Sequence, residues 1–207
     1  MSYLKIVRSA RPDQEPLDPT AKAPNDAERA KALHRLEILG SPSEEIFSTI
    51  TELAALTFHT PIALMSFVDA DHVFYKQAAG VDKTGLLVDR KKSPCSLAIL
   101  NSEVTTFRYE LADPCVIADK EKLSGAGYKF YAGAPMFTSD GYAIGILAVV
   151  DRVYRVYSKE EEQILKDLAK LTMAEVEFRL QVKKGKAVLD LNARLKALHE
   201  KVELFRQ

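Results

Sequence analysis

Cys95 and Cys115 are the two thiols of a 207-residue chain, too few for a disulfide framework or a four-thiolate metal site. Neither charge is in excess, since Lys and Arg total 29 and Asp and Glu total 29. That balance argues against a general attraction to nucleic acid or to an anionic membrane. Long apolar runs are missing too. The longest, Ala143 to Val150, falls far short of the ~20 residues that span a bilayer. The opening MSYLKIVRSARPDQEP lacks the apolar segment of a secretory signal. His34, His59, His72 and His199 are scattered along the chain, which suits surface or interface histidines better than a metal site. These absences imply a soluble, cytoplasmic protein with no metal, no cofactor, and neither nucleic acid nor membrane as partner.

What is present is a core. Hydrophobic residues make up 47% of the chain, enough for one well-buried unit plus an appendage. Its organising stretch is Phe130 to Asp151, FYAGAPMFTSDGYAIGILAVVD. This reads as two apolar strands joined at Ser139-Asp140-Gly141, a turn that needs positive φ and uses glycine to reach it. The second arm, Tyr142 to Val150, is apolar at nearly every position, so it belongs near the middle of a sheet covered on both faces. Pro135 lacks a ladder N–H and predicts a bulge in the first arm, with Gly133 allowing close backbone approach.

Residues 1–24, with Pro12, Pro16, Pro19 and Pro24, have the composition of an extended or disordered arm. Asn25 and Glu28 form a capping box for a first helix with Ala30, Leu33 and Leu36 as its apolar stripe, ended by Gly40. Ser41 caps a second helix, with Pro42 at the first helical position and Glu44 closing the box. Ile46, Phe47, Ile50, Leu53, Ala54 and Phe58 give that helix its buried face. Ile62 to Val68 and His72 to Ala79 read as a hairpin about Asp69-Ala70-Asp71. Residues 80–92 read as a polar loop. Ser93-Pro94 caps a short helix from Cys95 to Leu100, and a brief strand follows near Val104 to Tyr109. Residues 110–127 are irregular cover of the kind that forms ligand lids.

Ser158 with Glu161 makes a third capping box, and helix-forming sequence continues almost to Gln207. Ile164, Leu168, Leu171, Glu175, Phe178 and Val182 follow the 4-3-4-3-4 spacing of a helix–helix seam. Val188, Leu191, Leu195, Leu198, Val202 and Phe205 continue it, but the step from Val182 to Val188 is six residues rather than seven. A hinge, phase slip or break is expected at Gly185, where glycine costs about 1 kcal/mol of helix. The last stripe has no core left to cover, so it is expected to meet another chain. The plainer alternative is that it folds back on its own domain.

The order of these pieces carries a resemblance. Asn25-Asp26-Ala27-Glu28-Arg29, Leu36-Glu37-Ile38-Leu39, Pro61-Ile62-Ala63-Leu64-Met65-Ser66, Phe130-Tyr131-Ala132-Gly133-Ala134-Pro135 and Asp140-Gly141 resemble a GAF domain. The likeness is in particular to those of bacterial sensor kinases and diguanylate cyclases. It implies an α+β fold, a GAF-like central antiparallel sheet of five or six strands, order 2-1-5-4-3, with helices packed on one face. A long C-terminal helical extension would follow, and the irregular chain from 80 to 127 would close a pocket on the other face. The expected organisation is an arm over 1–24, a GAF domain over 25–182 and an amphipathic or coiled-coil helix over 183–207.

Fold does not fix function, so the residues must be tested against the family's uses. Bilin attachment uses a cysteine followed by histidine, whereas Cys95 is followed by Ser96. The signature Asn-Lys-x-x-Phe-x-x-x-Asp-Glu of cyclic-nucleotide-binding members is not found. One branch reduces free methionine sulfoxide, which needs a low-pKa thiolate and a resolving thiol. Cys95 in the first turn of a capped helix and Cys115 in the lid could serve, although that branch has a different cysteine pattern. Arg90-Lys91-Lys92 ahead of the same helix could hold a phosphate or carboxylate, and a solvated loop is the plainer reading. Asp69, Asp119 and Asp151 are explained as turn carboxylates. The resulting expectation is a sensing or regulatory module, not an enzyme, acting as a homodimer on a downstream signalling protein. Its candidate pocket for an unidentified small molecule is Phe74, Lys76, Cys95, Ser96, Asp119, Tyr128, Phe130 and Tyr131. A ligand-free dimerisation scaffold and the thiol reductase are the alternatives.

Overall fold

The structure, a computed structural model, describes residues 21–108 and 127–204, with the side chains of the last helix described to residue 186 and at Leu189. Its strands are β1 (Ile62–Val68), β2 (His72–Ala79), β3 (Leu87–Asp89), β4 (Thr105–Arg108), β5 (Phe130–Phe137) and β6 (Ala143–Asp151). They form one antiparallel sheet in the order β3-β2-β1-β6-β5-β4. The helices are α1 (Asp26–Arg35), α2 (Glu45–Thr57), α3 (Cys95–Ala98) and α4 (Lys159–Leu204). This is the expected strand order with β3 added outside β2. The central hairpin turns at Gly141, whose φ of +88° only glycine adopts without strain, and β6 sits between β1 and β5.

Alternation along the central strands feeds two apolar layers. Met65, Phe67, Leu147, Val149, Ala132 and Ala134 pack under α1, α2 and α4. Ile62, Leu64, Ile146, Ala148, Val150 and Tyr131 pack against α3 and Phe107. α4 covers the first layer with Leu165, Ala169, Met173, Val176 and Leu180, all buried at the spacing of one helix face. Ser158 and Glu161 start this helix with reciprocal bonds of 2.8 and 3.1 Å, as expected.

Several local expectations are corrected. Asn25 caps nothing with its side chain, and α1 ends at Arg35, before Gly40, which is nevertheless left-handed at φ +65°. α2 begins at Glu45 rather than Pro42, because Ser41 and Glu44 are drawn to a buried lysine described below. Ile46 and Leu53 are exposed, so the buried face of α2 is Phe47, Ile50, Ala54 and Phe58. β3 lies inside what reads as a loop, since three residues are too few to show a period. Pro135 is in register with Ile146, and the irregularity falls at Met136/Phe137. Pro135 lies past Gly133, the last β5 residue paired with β4, so its missing N–H costs no bond to that edge strand. α4 runs unbroken through Gly185, since a penalty of about 1 kcal/mol is small against a helix of this length. The arm expected over 1–24 lies outside the described residues except for its last four.

The close approach of backbones is at Gly145 rather than Gly133. A Cβ at Gly145 would sit 2.4 Å from the Ser66 carbonyl oxygen, whereas at Gly133 the nearest atoms belong to the Tyr131 and Ile146 side chains. Gly145→Ala is therefore expected to lower the thermal midpoint, by overpacking worth about 1–3 kcal/mol. A Gly145→Ala midpoint equal to the parent's in thermal denaturation would contradict this contact.

Candidate functional site

The candidate pocket residues divide between the two faces of the sheet. Cys95, Ser96, Tyr128 and Tyr131 lie in the layer with α3. Phe74, Lys76 and Phe130 lie in the layer under the long helices. Asp119 and Cys115 fall outside the described residues.

On the α3 side a small polar cluster is sealed in apolar surroundings. The Tyr75 hydroxyl and Ser93 Oγ are 3.0 Å apart, and the Cys95 backbone N–H donates to the same Ser93 oxygen at 3.3 Å. The Tyr131 hydroxyl donates to Cys95 Sγ at 3.4 Å, and Ser96 Oγ donates to the Ser93 carbonyl at 2.6 Å. All five residues are buried. Burial, then the neighbouring Cys95 thiol, pushes the Tyr75 phenol well above its ordinary range. The cluster thus offers neutral hydroxyls and a thiol, which suits polar recognition within an apolar layer. Sequence reading missed Tyr75 and Ser93, since each looks like an ordinary core or capping residue.

α3 is held in place from behind by buried charge. Arg90 makes a bidentate pair with Asp26, Nη1 to Oδ2 and Nη2 to Oδ1, both at 2.9 Å. Arg29 Nε donates to Asp26 Oδ1 at 2.9 Å, and its Nη1 bonds the Val68 carbonyl. Arg90 Nη1 also reaches the Asp69 carbonyl at 3.0 Å. One carboxylate therefore ties α1, the β1–β2 turn and the turn entering α3. Burial would raise the Asp26 pKa, but the hydrogen bonds from Arg90 and Arg29 outweigh it and the pKa lies below its ordinary value. This gives Asp26 and Arg29 of the Asn-Asp-Ala-Glu-Arg stretch a structural task. It also commits Arg90, leaving Lys91 and Lys92 exposed on the surface. A cleft of ≈ 480 Å³ lies nearby, lined by Lys22, Asp71, His72, Asp89, Arg90 and Lys91, at the end of the sheet rather than on its face.

On the helix side Lys76 is wholly buried and every acceptor comes from the connection between α1 and α2. Its ammonium donates to Ser41 Oγ at 2.8 Å, to the Pro42 carbonyl and to Glu44 Oε1 at 2.9 Å. Lys76 also lies 5.2 Å from the centre of the Phe47 ring. Glu44 Oε1 accepts from Arg179 Nε of α4 as well, at 2.7 Å. Burial lowers the Lys76 pKa against the opposing pull of Glu44. A lysine within an apolar strand was the legible signal, but its partner Glu44 reads from sequence as a helix cap. Asp69 and Asp151 do accept from the N–H groups of their own turns, Ala70 at 2.8 Å and Arg152 at 2.6 Å. Among the described residues, no helix is long and apolar enough to cross a membrane.

Comparison with known proteins agrees with this architecture. The family model of the GAF domain matches residues 42–176. A cyclic di-GMP phosphodiesterase of Pseudomonas aeruginosa is 31% identical over 163 residues, which is 76% of this chain and 27% of that protein. The chain thus spans about a quarter of that curated relative. A domain of a two-component sensor histidine kinase from Sinorhizobium meliloti 1021 superposes with a TM-score of 0.54 at 16% identity, covering 70% of this chain and 97% of that one. The GAF domain of an Acinetobacter phosphoenolpyruvate-protein phosphotransferase gives 0.55 at 12% identity, covering 79% and 99%. At such identities the likeness is one of fold.

Replacing Asp26 by Asn leaves two guanidiniums buried without a counter-charge, at a cost of about 3–5 kcal/mol. Because the folded pKa of Asp26 is depressed, its contribution is present above the unfolded carboxylate pKa of about 3.9 and is lost as pH falls through the folded value. In urea titrations the gap between parent and Asp26→Asn is expected to be wide at pH 7 and to narrow below about pH 4. A gap unchanged between pH 7 and pH 3 would contradict the pairing.

Proposed function

The chain belongs to the GAF domain family, and we propose that this member is a cytoplasmic, small-molecule-sensing regulatory module that signals as a homodimer through α4. The observation that carries this reading is the second apolar row of α4. While Leu165, Ala169, Met173 and Val176 cover the sheet, Ile164, Leu171, Phe178 and Val182 face outward, Leu171 52% and Phe178 61% exposed. Ile164, Leu171 and Phe178 recur every seventh residue, the repeat that keeps a seam facing a partner helix. Ile46, Leu53 and Leu56 are exposed on α2, which runs beside α4 with Glu44 near Arg179 and Phe58 near Tyr157. A second copy of the chain is the occupant this row fits, since the seam repeats within a single helix.

The ligand face in this reading is the layer under α3, where Tyr75, Ser93, Cys95 and Tyr131 supply polar atoms. Occupancy there would bias the packing of α4. The burial of Cys95 supports a regulatory over a thiol-reductase reading, because a nucleophilic thiolate needs access to its substrate. Output passes to a downstream signalling protein. The name of the Pseudomonas relative makes cyclic di-GMP turnover one output to assay.

Light scattering is expected to give a dimer at micromolar concentration. Leu171→Glu with Phe178→Glu should give a folded monomer whose thermal midpoint, measured at a concentration where the parent is monomeric, is within a few degrees of the parent's. A parent that stays monomeric at high micromolar concentration would end the dimer reading. Native mass spectrometry of gently purified protein should show a bound small molecule, and a bare chain in every preparation would favour a scaffold.

A further inference from the structure

Where α4 leaves the sheet, charge takes over from apolar contact. Leu180 is the last side chain of the helix buried among the described residues, and residues 181–186 are exposed. Around this point Arg179 donates to Glu44 at 2.7 Å and to the Glu37 carbonyl at 3.3 Å, and Lys183 pairs with the Glu37 carboxylate. Glu177 accepts from the Ser139 N–H at 2.8 Å. The exit of the helix is therefore clamped by the α1–α2 connection and the β5–β6 turn.

The clamp has a root inside the sheet. The oxygen of Glu44 that takes Arg179 also takes buried Lys76, so two cations share one acceptor. Lys76 is the extra residue of a bulge, because Met65 pairs with Gln77 and Ser66 with Tyr75, leaving Lys76 opposite nothing. A bulge re-aims a side chain and interrupts the ladder, here at the residue of β2 that carries the buried ammonium. The residue before it, Tyr75, points to the other face and meets Ser93 beneath α3. A shift of the backbone at Tyr75 is thus a shift of the ammonium at Lys76.

We propose that Glu44 is a positioning residue that passes the placement of β2 to α4 at its point of exit, along the path Ser93, Tyr75, Lys76, Glu44, Arg179. This rests on the reading of α4 as the output helix only for its consequence, not for the coupling itself. The same acceptor being shared means that displacement of Lys76 changes the hold on Arg179, and the Arg179 charge also acts directly on the Lys76 ammonium.

Hydrogen–deuterium exchange of the full chain tests the path. Tyr75→Phe removes a hydroxyl on the face away from α4, and it is expected to speed exchange of amides 177–184 several-fold. Glu44→Gln should speed the same amides about tenfold or more, and adding Tyr75→Phe to it should produce no further change there. The path is overturned if Tyr75→Phe alters only β2 and α3, or if the two effects multiply. Should Glu44→Gln fail to fold, Arg179→Gln breaks the same link and leaves Lys76 paired, with the same two outcomes expected. Light scattering on the same samples separates this from the dimer reading. A monomer with coupled exchange retains the path and loses the dimer, and a dimer with independent effects does the reverse.

Discussion

A lysine ammonium placed inside a protein must find all its acceptors in the chain, since burying a charge without partners costs far more than a single interaction returns. Lys76 meets that demand with Ser41, Pro42 and Glu44. Much local geometry follows from it. The α1–α2 connection must lie over β2, Ser41 cannot cap a helix, and α2 cannot start before Glu45. Because the Glu44 carboxylate has capacity beyond one cation, Arg179 joins it, and α4 is fixed against the same connection.

The second buried charge group works at the β1–β2 turn. Asp26 between Arg29 and Arg90 fixes how the chain enters α3, and with it where Ser93 and Cys95 stand against Tyr75 and Tyr131. The central strands are packed on both faces, and Gly145 shows how little room remains between β6 and β1. An apolar sheet of this kind is stiff, because dense interiors transmit displacement rather than absorb it. The bulge at Lys76 interrupts one of its ladders, between residues that face opposite layers, and a second irregularity lies at Met136/Phe137.

Patterns with a period were legible in the sequence. The Asp-Gly hairpin, the apolar arm of β6, the β1–β2 hairpin and the Ser158–Glu161 box all stand where their residues place them. What escaped has no period. β3 is three residues long, Asp26 and Arg90 find each other across 64 residues, and Glu44 depends on Lys76 and Arg179, 32 and 135 residues away. The capping box expected at Ser41 failed because Ser41 and Glu44 serve the buried Lys76 ammonium, which outweighs a local bond worth about 1 kcal/mol. Of the candidate site, Cys95, Ser96, Tyr128 and Tyr131 do share one layer, whereas Phe74, Lys76 and Phe130 lie across the sheet. A strand pattern gives alternation but not which face a bulged residue takes.

On the proposed reading the two apolar rows of α4 have separate duties, the buried one for its own sheet and the exposed one for a second copy. Single cysteines placed along α4 in a background lacking Cys115, followed by oxidation, read those duties directly. Disulfide-linked dimers are expected from the row of Ile164, Leu171, Phe178 and Val182 and not from Leu165, Ala169, Met173 or Val176. Linking that is even around the helix, or strongest from the buried row, would contradict it.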